Sequence, residues 1–287
     1  MRLFTHFFCC TLLLISSSVW ASSVWKVSKE GQHFYLAGTV HLLSKNDYPL
    51  PAPYDTAFEA SSELLFETDL NALTSPAGLS KMMQQNTYSD GRTLEQVLSA
   101  EVYQQLKHYA TERQMPVAAV SRFKPGFAAM MLASVEMKRL GAAETGVDMH
   151  YLQLGQQQGK KISGLETTDQ HLAVLDGMNQ LDADVIIRST LEDMPKVEGQ
   201  LTDMKHAWRS GDTDKLERLF VEDLQQVPQM YEILLVNRNH AWMPMLQALS
   251  GNEHTTMVLV GALHLAGEDG LLKLLQQQGY TLTQLKE

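Results

Sequence analysis

The chain has 287 residues, 44% of them apolar and 20% charged, which is the make-up of a globular protein with a sizeable core and excludes a disordered chain. Its formal charge of -10 argues against non-specific binding to nucleic acid or anionic membrane, both polyanions. The two cysteines, Cys9 and Cys10, sit near the start, so the rest of the chain has neither a disulfide nor a cysteine nucleophile.

Residues 1–21 read as an export signal. Arg2 gives a positive start, 3–15 is mostly apolar, and Val19-Trp20-Ala21 is a small-x-Ala cleavage site. The apolar run is short for a spanning helix, and nothing later is long enough to be one. The expectation is an exported chain, periplasmic or secreted, with no stable membrane insertion after cleavage.

Residues 22–30 read as a short polar lead-in. A buried strand over 33–38 follows and runs into Gly38-Thr39-Val40-His41. Pro49, Pro51 and Pro53 make 46–53 a loop. A short helix over 54–62 leads to a strand over 63–68 that carries Glu67. Strand, helix and strand make a βαβ unit with parallel strands, which places 38–41 and Glu67 at the C-terminal ends of neighbouring strands, the edge where open α/β sheets hold their sites.

The middle, about 71–250, has mostly helical periodicity, with helices expected over 93–110, 127–140, 146–158, 170–190, 199–210, 214–226 and 229–249. A short strand over 160–166 interrupts it and ends in Glu166. An apolar strand over 255–260 then reaches Gly261-Ala262-Leu263-His264, and a helix over 267–278 and a strand over 280–285 close the chain. The fold class is α/β: a mixed or mostly parallel sheet built from both chain ends, with a large helical insertion, in one domain over 22–287.

The repeated grammar of apolar strand, Gly-x-x-His and Leu singles out His41 and His264. One such histidine reads as a core residue satisfied by backbone. Two at the same offset read as a site, since neutral imidazole is both a metal ligand and a general base. With Glu67 they form a plausible set of divalent-cation ligands with open positions. Glu166 is a second carboxylate, as ligand or base. Asp69 is a helix cap or a partner behind a histidine, and Asp148 and His150 lie on the surface or behind the ligands. Asn237-Arg238-Asn239 interrupts an apolar helix; it is either that helix's exposed face or a place from which Arg238 steadies a developing negative charge. No Gly-x-Ser-x-Gly, no His-Glu-x-x-His and no strand followed by Gly-x-Gly-x-x-Gly is present.

Taken in order, Gly38-Thr39-Val40-His41, Phe66-Glu67-Thr68-Asp69, Gly146-Val147-Asp148, Gly164-Leu165-Glu166-Thr167, Asn237-Arg238-Asn239 and Val260-Gly261-Ala262-Leu263-His264 resemble the TraB/PrgY/GumN family, which includes the Tiki metalloproteases. The resemblance covers nearly all of the chain after the signal. It implies an α/β fold related to the erythromycin esterase and haem-binding ChaN groups. For the Tiki branch it implies divalent-metal-dependent peptide hydrolysis, with His41, Glu67 and His264 at the positions of the two histidines and the glutamate. Mn²⁺ or Co²⁺ fits the family, and Zn²⁺ fits the ligand types. The expectation is an exported metal-dependent hydrolase, a peptidase, with Glu166 and Arg238 in support and a peptide or small molecule as substrate. The alternatives are a non-catalytic protein that sequesters a peptide signal or haem at the same edge, and a cofactor-free esterase whose activity survives chelator.

Overall fold

A computed structural model describes residues 21–142, 144–251 and 254–287, Glu144 by its backbone alone. The expected export signal, apart from Ala21, lies outside the described residues. Among the described residues eight strands form, in chain order β1 (Ala21–Lys29), β2 (Gln32–Thr39), β3 (Leu42–Leu43), β4 (Glu63–Thr68), β5 (Glu144–Thr145), β6 (Lys161–Glu166), β7 (Thr256–Gly261) and β8 (Thr281–Lys286). Six of them make one sheet in the order β6-β4-β7-β2-β1-β8, and β3 pairs with β5 alone. β6, β4, β7 and β2 run parallel, while β1 is antiparallel to both β2 and β8. The sheet is mixed, is built largely from both chain ends, and has a helical middle, as its α/β class requires.

Alternation of side chains across each strand divides the core in two. On one face Tyr35, Ala37, Leu64, Phe66, Met257 and Leu259 pack against Tyr54, Phe58, Tyr151 and Trp208. On the other, Phe34, Leu36, Leu65, Val258 and Val260 pack against Trp242, Leu246, Leu271 and Leu275. Both faces are covered, so the central strands read as continuous apolar runs. The helical middle holds a third core, in which Leu94, Val102 and Leu106 meet Leu132, Ile186 and Ile187.

Four expectations need correction. The stretch read as a polar lead-in is the nine-residue strand β1. Ser22 and Ser23 are buried, and Ser23 Oγ donates to the Trp208 carbonyl at 2.6 Å. The strands bearing His41 and Glu67 are parallel but not neighbours, because β7 inserts between β2 and β4 and pairs with both. The helix expected over 93–110 is two, Leu94–Val97 and Ala100–Glu112, since Leu98 is extended and the Ser99 side chain accepts from Val102 N; the helix expected over 170–190 is likewise two, Thr168–Asn179 and Ala183–Asp193, since the Asp182 side chain accepts from Val185 N and starts a new helix.

Candidate functional site

The four parallel strands bring their C-terminal ends to one edge. β2 and β7 are in register with Gly38 opposite Val260 and Thr39 opposite Gly261, so the two Gly-x-x-His segments leave the sheet side by side. Their glycines serve different ends. A Cβ on Gly38 would lie 2.9 Å from Leu265 Cδ1 and 3.2 Å from Ala262 Cα, so the bare backbone lets the second segment close onto the first. Gly261 borders Glu67, and its N–H donates to Glu67 Oε1 at 2.7 Å. The end of β2 is pinned from behind: the Gly38 carbonyl accepts from Trp208 Nε1 at 2.9 Å and from the buried Tyr54 hydroxyl.

His41 and His264 are not equivalent. The His41 side chain is 70% exposed and borders a cavity of about 670 Å³. Val147 N donates to Val40 O at 3.1 Å, which clamps this turn to the helix Val147–Gln157 and brings Asp148 to it. His41 Nδ1 donates to Asp148 Oδ2 at 2.8 Å, while Thr39 Oγ1 donates to Asp148 Oδ1 at 2.7 Å. The Asp148 charge, together with the Asp148 hydrogen bond, raises the His41 pKa to about 9. Water reaches the ring and screens part of that attraction. Because Nδ1 is committed, Nε2 is the nitrogen left for a ligand.

His264 is buried, on the short turn Ala262–Leu265. Its Nδ1 donates to Asn239 Oδ1 at 2.6 Å, and the Asn239 amide donates in turn to the Asp269 carbonyl at 2.8 Å. These bonds fix the tautomer, so Nε2 carries the lone pair. Burial pushes the His264 pKa down to about 4, and the ring is neutral at physiological pH. Its Nε2 lies 3.7 Å from Glu67 Oε1.

Arg238 joins these groups. A π-turn, Glu232–Val236, leads into the helix Asn237–Ala248; Asn237 faces out while Arg238 and Asn239 face in. Arg238 Nη2 donates to Glu67 Oε2 at 2.6 Å and to Glu166 Oε1 at 2.8 Å, and Nε donates to Glu166 Oε2 at 3.2 Å. Nη1 donates to His264 Nε2 at 3.1 Å and to the Leu234 carbonyl at 3.4 Å. All five guanidinium protons thus have protein acceptors, so Arg238 organises the two carboxylates instead of waiting open for a substrate oxygen. The Trp242 ring, one turn on, lies 4.7 Å below the guanidinium.

Burial alone would raise the Glu67 carboxyl, but nearby positive charge and the Gly261 N–H hold it well below the usual carboxylate range. At neutral pH that charge comes from Arg238 and His41, since His264 is uncharged. Glu166 is also lowered, because hydrogen bonds from His171 and Arg238 outweigh burial. It accepts from His171 Nδ1 at 2.7 Å and from Trp242 Nε1 at 3.2 Å as well, which leaves its oxygens no open position for a role as base.

Among the expected residues, His41, Glu67 and Arg238 border one cavity; His264 and Glu166 stand behind it, bonded to Arg238. Asp69 caps a helix at Ala72 N, and His150 packs on Tyr48 and Tyr151. His171, which also borders the cavity, was not singled out from sequence; its place five residues after Glu166, in the first turns of a helix, is the signal that was there to read.

The site's fitness for a divalent cation can be judged from its donors. His41 Nε2 and His264 Nε2 are each presented by a partner on Nδ1, and Glu67 is held ionised, so the donor chemistry fits a cation of the Mn²⁺, Co²⁺ or Zn²⁺ type. Among the described residues no group of three His, Cys, Asp or Glu side chains is arranged to close on an ion as it stands. Arg238 holds the Glu67 and His264 atoms that an ion would take, and it must yield them for an ion to enter.

The profile of the TraB/PrgY/gumN family matches residues 23–284. The protein named "Uncharacterized protein YbaP" in Escherichia coli (strain K12) is 27% identical over 251 residues, covering 85% of this chain and 88% of that one. The protein of the same name in Shigella flexneri matches with the same identity and coverage. No solved structure matches.

Proposed function

The chain belongs to the TraB/PrgY/gumN family, and from that footing we propose that it is an exported, divalent-cation-dependent hydrolase acting at a carbonyl, with peptide hydrolysis the reading taken from the family resemblance. The observation that supports this most is the pair of imidazoles beside an ionised carboxylate, each ring held at Nδ1 so that Nε2 is its working atom. His41, Glu67 and His264 would hold the cation, which when bound polarises a carbonyl and lowers the pKa of water. The chain's own residues prepare that chemistry. Asp148 and Asn239 orient the rings. Gly261 N–H and Arg238 keep Glu67 ionised. His41, at the cavity, presents Nε2, which gives up its proton for the cation to bind. The test is hydrolysis of a broad peptide library by the purified chain with Mn²⁺, Co²⁺ or Zn²⁺. Cleavage that His41→Ala abolishes supports the reading; no cleavage with any of the three ions overturns its peptide part.

A second reading is favoured by one observation, the guanidinium that bridges Glu67 and His264. In it Arg238 supplies the positive charge and the imidazoles work without a cofactor. Activity that survives chelator selects it.

A further inference from the structure

The charged cluster occupies one end of a cavity whose other walls are apolar. The cavity measures about 670 Å³, and beyond His41, Glu67, His171 and Arg238 its lining is mostly Leu, Met, Ala, Val and Ile. A second cavity of about 600 Å³ shares Ala133, Ile186, Ser189, Asp193 and Met230 with it. Each alone falls within the roughly 300–1,000 Å³ of a small-molecule pocket. Joined, they make a trench that starts at the ionised groups and runs between the helices of the middle region. Of the six exposed large apolar side chains among the described residues, Met130, Val185 and Val227 lie along it. Methionines recur on its walls, and their unbranched side chains adapt to a flexible chain.

The polar groups at the join separate two kinds of occupant. An extended peptide carries an N–H and a carbonyl at every residue, each of which needs a partner when taken out of water. The Ser189 hydroxyl donates to the Ile186 carbonyl at 3.1 Å and the Thr190 hydroxyl to the same carbonyl at 2.7 Å. Neither has a proton to offer a peptide. Asp193 accepts from Lys196 at 2.8 Å, and the remaining polar side chains, Gln200, Asp223 and Gln226, line the second cavity and not the one at the imidazoles. A hydrocarbon chain makes no such demand, and its carbonyl end meets the imidazoles of His41 and His171 at the polar end.

We infer that the trench takes a long unbranched acyl chain, so that the substrate class is a long-chain acyl amide or ester whose carbonyl stands at the His41–Glu67 end. Where this depends on the hydrolytic reading, the reaction is balanced by water. Its oxygen joins the acyl carbon, the bond from that carbon to nitrogen or oxygen breaks, and the leaving amine or alcohol takes the proton. The binding claim stands without that step.

The test is calorimetry with butyrylglycine, lauroylglycine and the apolar peptide N-acetyl-Leu-Leu-Gly on chelator-treated wild-type protein, with glycine release measured separately after cation is added back. Transfer of methylenes from water sets a ceiling of about fourfold in affinity for each one buried. Lauroylglycine is expected to bind at least about a hundredfold tighter than butyrylglycine, and at least about tenfold tighter than the peptide. Ala133→Phe and Ser189→Phe, both at the join, should narrow the lauroyl-to-butyryl ratio at least tenfold. If neither variant folds, the wild-type series decides alone. Affinity independent of chain length, or peptide binding as tight as lauroylglycine, overturns the inference. Chain-length-dependent binding with no glycine release counts against hydrolysis and supports the trench. Glycine release that does not depend on chain length, with equal affinities, keeps hydrolysis and removes the trench.

Discussion

Replacing Arg238 by methionine keeps most of the side-chain volume and removes the one charge that faces both buried carboxylates. The Arg238 side chain is 12% exposed, against 10% for Glu67 and 6% for Glu166, so little water is available to take over. Removing one partner of a buried ion pair costs about 3–5 kcal/mol, because the partner left behind stays desolvated. At roughly 2 °C per kcal/mol for a long chain, the melting temperature should fall by on the order of 6–10 °C near neutral pH. The pH dependence gives the sharper check. Glu67 and Glu166 have lowered pKa values in the folded protein, so their contribution is present above the unfolded carboxylate value of about 4.3 and is lost as pH falls through the folded values. In the variant the part of that lowering due to Arg238 is gone, both carboxyls protonate at higher pH than in wild type, and its deficit should shrink between about pH 7 and about pH 4. Thermal melts followed by circular dichroism at several pH values read both effects. A variant as stable as wild type, or one whose deficit stays constant with pH, would refute the view that Arg238 neutralises these carboxylates.

Asp148→Asn should bring the His41 pKa down from about 9 toward the ordinary 6.5, as followed by NMR titration of the imidazole. Since the wild-type contribution is full below 6.5 and lost as pH rises through about 9, this variant should lose more stability in weak acid than in base; an unshifted titration contradicts the pairing. Asn239→Leu strips His264 Nδ1 of its acceptor and should cost about 1–3 kcal/mol in denaturant melts, against little or no change if the bond is unimportant. Gly146→Ala would set a Cβ 2.1 Å from the His41 carbonyl, so the turn must move; a large drop in melting temperature and altered His41 resonances are expected, and a wild-type spectrum would contradict it.

The parts of the fold visible in the sequence are those written by local pattern. The sequence places β4 at its exact bounds and β2 to within a residue, because each is a short apolar run between turns. The placing of β7 between them was not visible. Its partners in β2 and β4 lie about two hundred residues earlier, and no local feature encodes that pairing. β1 was missed because Ser22, Ser23 and Lys26 read as polar, whereas hydrogen bonds such as that from Ser23 to Trp208 let part of that polarity be buried. In the site, His41 and His264 stood out through duplication, and Glu67 and Glu166 as charges at strand ends. That Arg238 and Asn239 turn inward while Asn237 turns out depends on the phase set by the π-turn before them, which composition does not reveal.

The central claim is that His41, Glu67 and His264 act together on one divalent cation. Metal analysis of the purified protein after Mn²⁺ loading and gel filtration, wild type beside the double substitution His41→Ala and His264→Ala, tests it most directly. The account predicts about one bound ion per chain in the wild type and none in the folded double variant. Equal metal content in the two, or none in either, would contradict it.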